Sequence, residues 1–207
     1  MPRTLYLDAE SLTMTPAPSS DAHAVSHSAV PRRRRGDRVS FAHRFAEDTE
    51  IVGSMALRLW ISTDDGTDLD VFVVIRKRDT AGALVPFYGY NGFPNDGAAK
   101  GWLRASHREV DPSRGRPERP FHTHRSAQPV EPNRPTELMI EIWPSGTHFE
   151  AGSELVVEIV GHDADRYPAL RHKATVNRGN HTVHTGGETP SALIFPVIVP
   201  RCERSTT

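Results

Sequence analysis

Disulfides are the first thing this sequence cannot make. It holds one cysteine, Cys202, among 207 residues, which also excludes a cysteine-based metal site. No apolar run approaches the roughly 20 residues needed to span a bilayer, and the N-terminal MPRTLYLDAES lacks the apolar core of a signal peptide. A soluble, cytoplasmic chain is the expectation. Neither sign of charge is in excess: 25 Lys and Arg stand against 26 Asp and Glu, so no whole-chain field draws the protein to nucleic acid or to a membrane surface. No segment of comparable strength has a helical period, and no internal repeat is present, which excludes a propeller or a solenoid.

What the sequence has instead is alternation broken by turn residues. Met55, Leu57, Leu59 and Ile61 alternate with Ala56, Arg58, Trp60 and Ser62, as a strand with one face in a core requires. The turn cluster Thr63-Asp64-Asp65-Gly66-Thr67 follows, and then the β-branched run Val71 to Ile75, which predicts a strand buried on both faces. Further strands are expected over Ala83 to Tyr88, Trp102 to Arg108, Glu137 to Trp143, Leu155 to Val160, Thr182 to His184 and Leu193 to Val199. Short strands with 17 prolines and 15 glycines between them, and no alternating helices, predict an all-β fold, an antiparallel jelly-roll β-sandwich. Pro196 belongs at an edge or a bulge of such a sheet. Ser11 to Asp37, rich in Pro, Ser, Ala and His and ending in the run Arg32 to Arg35, reads as a solvated linker or mobile loop.

The residue types that carry chemistry are present, but their spacing is wrong for catalysis. A nucleophile elbow needs G-x-S-x-G to expose a serine beside oxyanion donors, and the sequence has none; Gly53-Ser54 and Gly152-Ser153 fall at strand entries. Eleven histidines invite a triad or a metal site. His122 and His124 point to one side of an extended segment, yet they hold zinc only if another ligand completes the set, and the surrounding Pro and Arg favour a surface loop. His181 and His184 face opposite sides of a strand and cannot chelate one ion without a bulge. Asp64, Asp65, Asp68 and Asp70 have the density of a calcium site but lack an EF-hand loop, which favours turn formation. Trp60, Trp102, Trp143, Phe87, Tyr88, Tyr90 and Phe93 offer material for a sugar-stacking platform, although core filling and docking are commoner uses. No cofactor and no metal are expected.

Three stretches, in order, carry a family resemblance. The first is Gly53 to Thr63 (GSMALRLWIST) followed by Thr67-Asp68-Leu69-Asp70-Val71-Phe72-Val73. The second is Gly101-Trp102-Leu103-Arg104-Ala105-Ser106-His107-Arg108 with Arg119-Pro120-Phe121-His122-Thr123-His124. The third is Ile140-Glu141-Ile142-Trp143-Pro144 through Phe149 to Leu155, closed by His181 to Gly187 and Ile194 to Ile198. Together they resemble the C-terminal, galactose-binding-like jelly-roll domain of the X-Pro dipeptidyl-peptidase, cocaine esterase and α-amino acid ester hydrolase family of serine hydrolases. Leu69 stands where members usually have Thr. Thr4 to Asp8 is similar to the strand leaving the hydrolase domain, so the expected division is a strand and linker over 1–38, the sandwich over 39–200 and a tail over 201–207. The resemblance implies a Ser, Asp and His triad in a separate α/β-hydrolase domain, and for this chain a non-catalytic role. Candidates for docking on that partner are Trp102, Arg104, His107, His122 and His124, with a structural role favoured for His107. Self-association through an uncovered patch, and a free-standing carbohydrate or ligand-binding module, are the rival readings.

Overall fold

The computed structural model describes residues 2–31, 36–89, 92, 96–163 and 171–198. Arg32 to Arg35, Tyr90, Phe93 and the tail with Cys202 lie outside them. The described residues contain no α-helix and form strands β1 (Pro2–Asp8), β2 (Thr13–Thr15), β3 (His23–Ser28), β4 (Arg38–Arg44), β5 (Thr49–Thr63) and β6 (Asp70–Arg78). Then come β7 (Ala99–Arg104), β8 (Thr136–Phe149), β9 (Glu154–Val160), β10 (Asn180–Thr185) and β11 (Ala192–Ile198).

Hydrogen bonding closes nine strands into a barrel-like ring in the order β11-β1-β2-β4-β9-β6-β7-β8-β5, because β5 pairs with β8 on one flank and with β11 on the other. β10 and then β3 extend the sheet from the far end of β5. Closure pairs the ring strands on both sides and leaves open edges only at its narrow seams. The alternation of β5 does what its pattern demands: Met55, Leu57, Leu59 and Ile61 are at most 1% exposed in one contiguous core. β6 is buried from Asp70 to Lys77, as its unbroken run predicts. Its two buried cations are satisfied inside the fold, Arg76 by Glu158, and Lys77 by the His148 carbonyl at 2.9 Å and by Glu150.

Two seams in the ring are narrow. β2 meets β4 at one parallel pair, Thr13 with Ala42, and β7 meets β8 at one pair, Gly101 with Ile142. At the second seam a Cβ on Gly101 would lie 2.2 Å from the Glu141 carbonyl oxygen, so the two backbones approach this closely only across a glycine.

Several expectations need correction. The stretch from Ser11 to Asp37 contains β2 and β3, and β3 pairs along its length with β10, from Ser28–Asn180 to His23–Thr185. Its sequence, HAVSHS, has no apolar face to read, and the ladder with β10 supplies its order. Ala83 to Tyr88 forms no strand; only isolated pairings Arg78–Leu84 and Phe87–Asp96 occur there. The strand expected from Trp102 to Arg108 ends at Arg104 in a 3-10 turn, Ala105–His107. Pro196 does lie in a bulge, where the β11–β5 register slips between Ile194 and Val197.

Candidate functional site

The acidic turn and the GWLRASHR segment form one network. Asp68 Oδ1 accepts the N–H groups of Leu69 and Ser106, both at 2.9 Å. Asp70 accepts two bonds from the Arg104 guanidinium, at 2.8 and 2.9 Å, and the Val176 N–H at 3.0 Å. Asn177 closes the set, accepting the Asp70 N–H at 2.7 Å and donating to the Asp70 carbonyl at 2.7 Å. Capture of the Ser106 N–H by Asp68 turns the chain out of β7, which is why the strand stops early. Leu69, between the two aspartates, is wholly buried in the core. Asp64 accepts the Asn180 N–H and side-chain amide, each at 2.7 Å, and these bonds hold its carboxyl below the usual range. Three of the four clustered aspartates are thus occupied in holding backbone, as the turn reading expects. Of the docking candidates, Arg104 is an internal partner whose charge is held by Asp70.

Beyond the 3-10 turn the chain projects a hairpin. Val110 pairs with His122, Asp111 N–H bonds the Phe121 carbonyl at 2.8 Å, and Arg116 and Arg119 exchange both backbone bonds at 2.9 Å, leaving Pro117 and Glu118 at the tip. The Arg114 guanidinium stacks 3.7 Å from the centre of the Phe121 ring. The base of this hairpin brings His107 together with His122 and His124, three of the docking candidates. The Nδ1 atoms of His107 and His124 are 3.1 Å apart, and the rings of His122 and His124 are centred 5.9 Å apart. His122 hydrogen-bonds to the Met139 backbone of β8, its Nε2 is buried without a partner, and burial followed by the nearby His124 lowers its pKa. His124 has a φ of 51°, so the extended geometry expected for His122 and His124 is not adopted. Among the described residues no group of three His, Cys, Asp or Glu side chains is arranged to hold a metal ion.

The remaining candidate, Trp102, stands in the open. It is 50% exposed, and Trp143 of the neighbouring strand is 60% exposed; the rings are 5.1 Å apart at a tilt of 54°. Along β8, Leu138, Ile140 and Ile142 point to the core, while Glu137, Glu141 and Trp143 face outward. Between this outer face and the hairpin lies an open groove of about 660 Å³, lined by Gly53, Ser54, Glu141, Pro196 and the hairpin residues Arg114, Arg116 and Arg119 among others. Gly53 has a φ of 129°, and a Cβ there would press to 3.1 Å from the Pro196 ring, so glycine is what lets β5 and β11 bulge together at the groove floor. Nothing in the sequence signals this groove, since its walls come from four separate segments.

A serine–histidine contact was also illegible in the sequence. Ser62 Oγ lies 2.9 Å from His184 Nε2 across β5 and β10. Ser62 is buried, burial lowers the His184 pKa, and among the described residues no carboxylate bonds the His184 ring. Among the described residues the pair is a cross-strand bond without the orienting acid of a triad. On the opposite face of β10, His181 is fully buried edge-on to His27 at 5.5 Å, and burial, with His27 beside it, pushes its pKa down to about 3. The expected opposition of His181 and His184 holds.

A closed all-β ring whose polar clusters pin its own backbone, and whose outer face carries exposed tryptophans beside a basic groove, has the build of an interaction domain. The chain belongs to the family of X-Pro dipeptidyl-peptidase C-terminal non-catalytic domains, whose pattern it matches over residues 2–194. It is similar to a CocE/NonD family hydrolase from Staphylococcus aureus, with 36% identity and a TM-score of 0.90, covering 96% of this chain and 37% of that one. An aminopeptidase from a marine sediment Thaumarchaeota archaeon (16% identity, TM-score 0.65, 96% and 37% covered) shares the fold. So does an α-amino acid ester hydrolase (16%, 0.63, 95% and 36%). The chain thus spans little more than a third of these hydrolases. No curated protein matches it in sequence. No helix among the described residues is long and apolar enough to cross a membrane.

Proposed function

We propose that this chain is the accessory β-domain of a serine hydrolase of the X-Pro dipeptidyl-peptidase and cocaine esterase kind, docking on an α/β-hydrolase domain and shaping its active-site surround or an oligomer interface. The observation that carries the reading is the exposed Trp102–Trp143 pair in a domain whose family is non-catalytic, since paired surface aromatics of this size are anchors in protein interfaces. In this reading Trp102 contacts the partner directly, His107, His122 and His124 present the hairpin base to it, and Arg104 positions the segment from within. The nine-strand ring is taken as a flattened jelly roll: the two single-pair seams divide it into a β4-β9-β6-β7 layer and a β8-β5-β11-β1-β2 layer over one core. The cytoplasm is the proposed compartment, which suits a chain with one cysteine.

The test is to mix the purified chain with the hydrolase domain encoded beside it in the source genome. Association with gain of X-Pro amide or ester hydrolysis is expected; absence of association at high concentration would remove the reading. A carbohydrate-binding role draws on the same tryptophans. Their 54° tilt gives no flat platform for a sugar ring, so docking is the favoured use.

A further inference from the structure

We infer that the groove between the hairpin and the β5–β8 face receives an acidic segment of the hydrolase domain, gripped by Arg114, Arg116 and Arg119 near the point where that domain joins this one. This rests on the docking reading above and adds to it a location and a chemistry.

The location follows from chain connectivity. In this family the non-catalytic domain is C-terminal, so the catalytic part leads into β1. β1 opens at Pro2, paired with Pro196, and Pro196 lines the groove. A partner tethered at Pro2 is held within reach of the groove at high effective concentration. The base of the hairpin, with its three histidines, lies at the other end of that structure.

The chemistry follows from the side chains. Three arginines line the groove against two glutamates, Glu118 and Glu141. Arg119 is 74% exposed and reaches Glu141 only at 3.9 Å, and Arg116 makes no ion pair among the described residues. Stacking on Phe121 holds the Arg114 guanidinium in one plane and lowers the entropy lost when it binds. Such planar forks match carboxylates with two parallel bonds each. Val52, half exposed at the groove, and Trp143, two residues along β8 from Glu141, supply the apolar centre that an interface with a charged rim requires.

Calorimetric titration of the unmodified chain and of R114E/R116E/R119E and H107A/H124A variants with the hydrolase domain, at low and high salt, tests this. The charge reversal is expected to weaken binding by at least about thirty-fold at low salt and to remove most of the salt dependence. The histidine variant, at the hairpin base, is expected to weaken binding less than the charge reversal does and to keep the salt dependence. Hydrogen exchange on the unmodified complex, which needs no variant to fold, is expected to show protection at 52–54 and 114–121. Equal binding by the charge-reversed chain, or protection confined to 105–109 and 122–125, overturns the groove while docking stands. If the unmodified chain does not bind, the docking reading falls and the groove falls with it.

Discussion

Asp70 is buried, and without Arg104 it would be a carboxylate in the interior with one backbone donor; two guanidinium bonds make it a strut that ties β7 to β6. His181 is the contrasting case, because neither of its ring nitrogens has a partner. Its pKa is about 3 in the fold against 6.5 in the unfolded chain. The folded state therefore refuses a proton that the unfolded state accepts, so its contribution to stability is complete above about pH 6.5 and is lost as the pH falls toward 3. His27 shifts the same way through burial, while Asp64 and Asp70 oppose the effect at His181 only weakly. At pH 5 the loss from His181 alone is on the order of 2 kcal/mol. A His181→Leu protein, which removes two unpartnered polar atoms, is expected to match the parent's melting temperature or exceed it at pH 7.5, and to lose less of it on going to pH 5. Calorimetric scans at the two pH values decide; equal acid sensitivity in both proteins would mean that this ring is protonated within the fold.

β1 closes the ring by pairing with β11 and β2, and β3 covers the outer flank of β10, so three strands before residue 29 belong to the sheet. A chain cut to 39–207 loses Leu5, Leu7 and Met14 from the core and uncovers flanks of three strands, β11, β4 and β10. It is expected to be aggregated or to lack a cooperative thermal transition, whereas 2–198 unfolds in one step; a soluble 39–207 chain with an unchanged transition would show that the ring is complete without β1. β5, β6, β9 and β11 were legible because each buries a run or an alternation of apolar residues. β3 was not, since HAVSHS offers no face, nor was the extension of β8 past Pro144, where Pro-Ser-Gly reads as a turn and a register shift against Gly53 carries the strand through. Ala83 to Tyr88 has a strand's composition but only two single pairings. At the site, the GWLRASHR segment was visible as a motif, and its burial of Ala105 and Ser106 and exposure of Trp102 were not. The groove depends on register and on a hairpin fold-back, which no local pattern encodes.

At the level of the molecule, the question is whether any part of this domain can do chemistry unaided. The Ser62–His184 pair has the distance of a catalytic dyad, but the serine is 6% exposed, so a substrate carbonyl cannot reach it without opening the β5–β10 ladder. Loss of the orienting acid alone costs an enzyme several powers of ten in rate, and among the described residues this pair has no such acid. The purified chain is therefore expected to hydrolyse p-nitrophenyl acetate no faster than its histidines do nonspecifically, and Ser62→Ala is expected to leave that rate unchanged. A Ser62→Ala change that abolished a saturable rate would place an active site on the domain itself. The same substitution, read through stability, should cost about 1 kcal/mol, the ordinary value of one side-chain bond, and that pairing of outcomes separates a structural serine from a nucleophile.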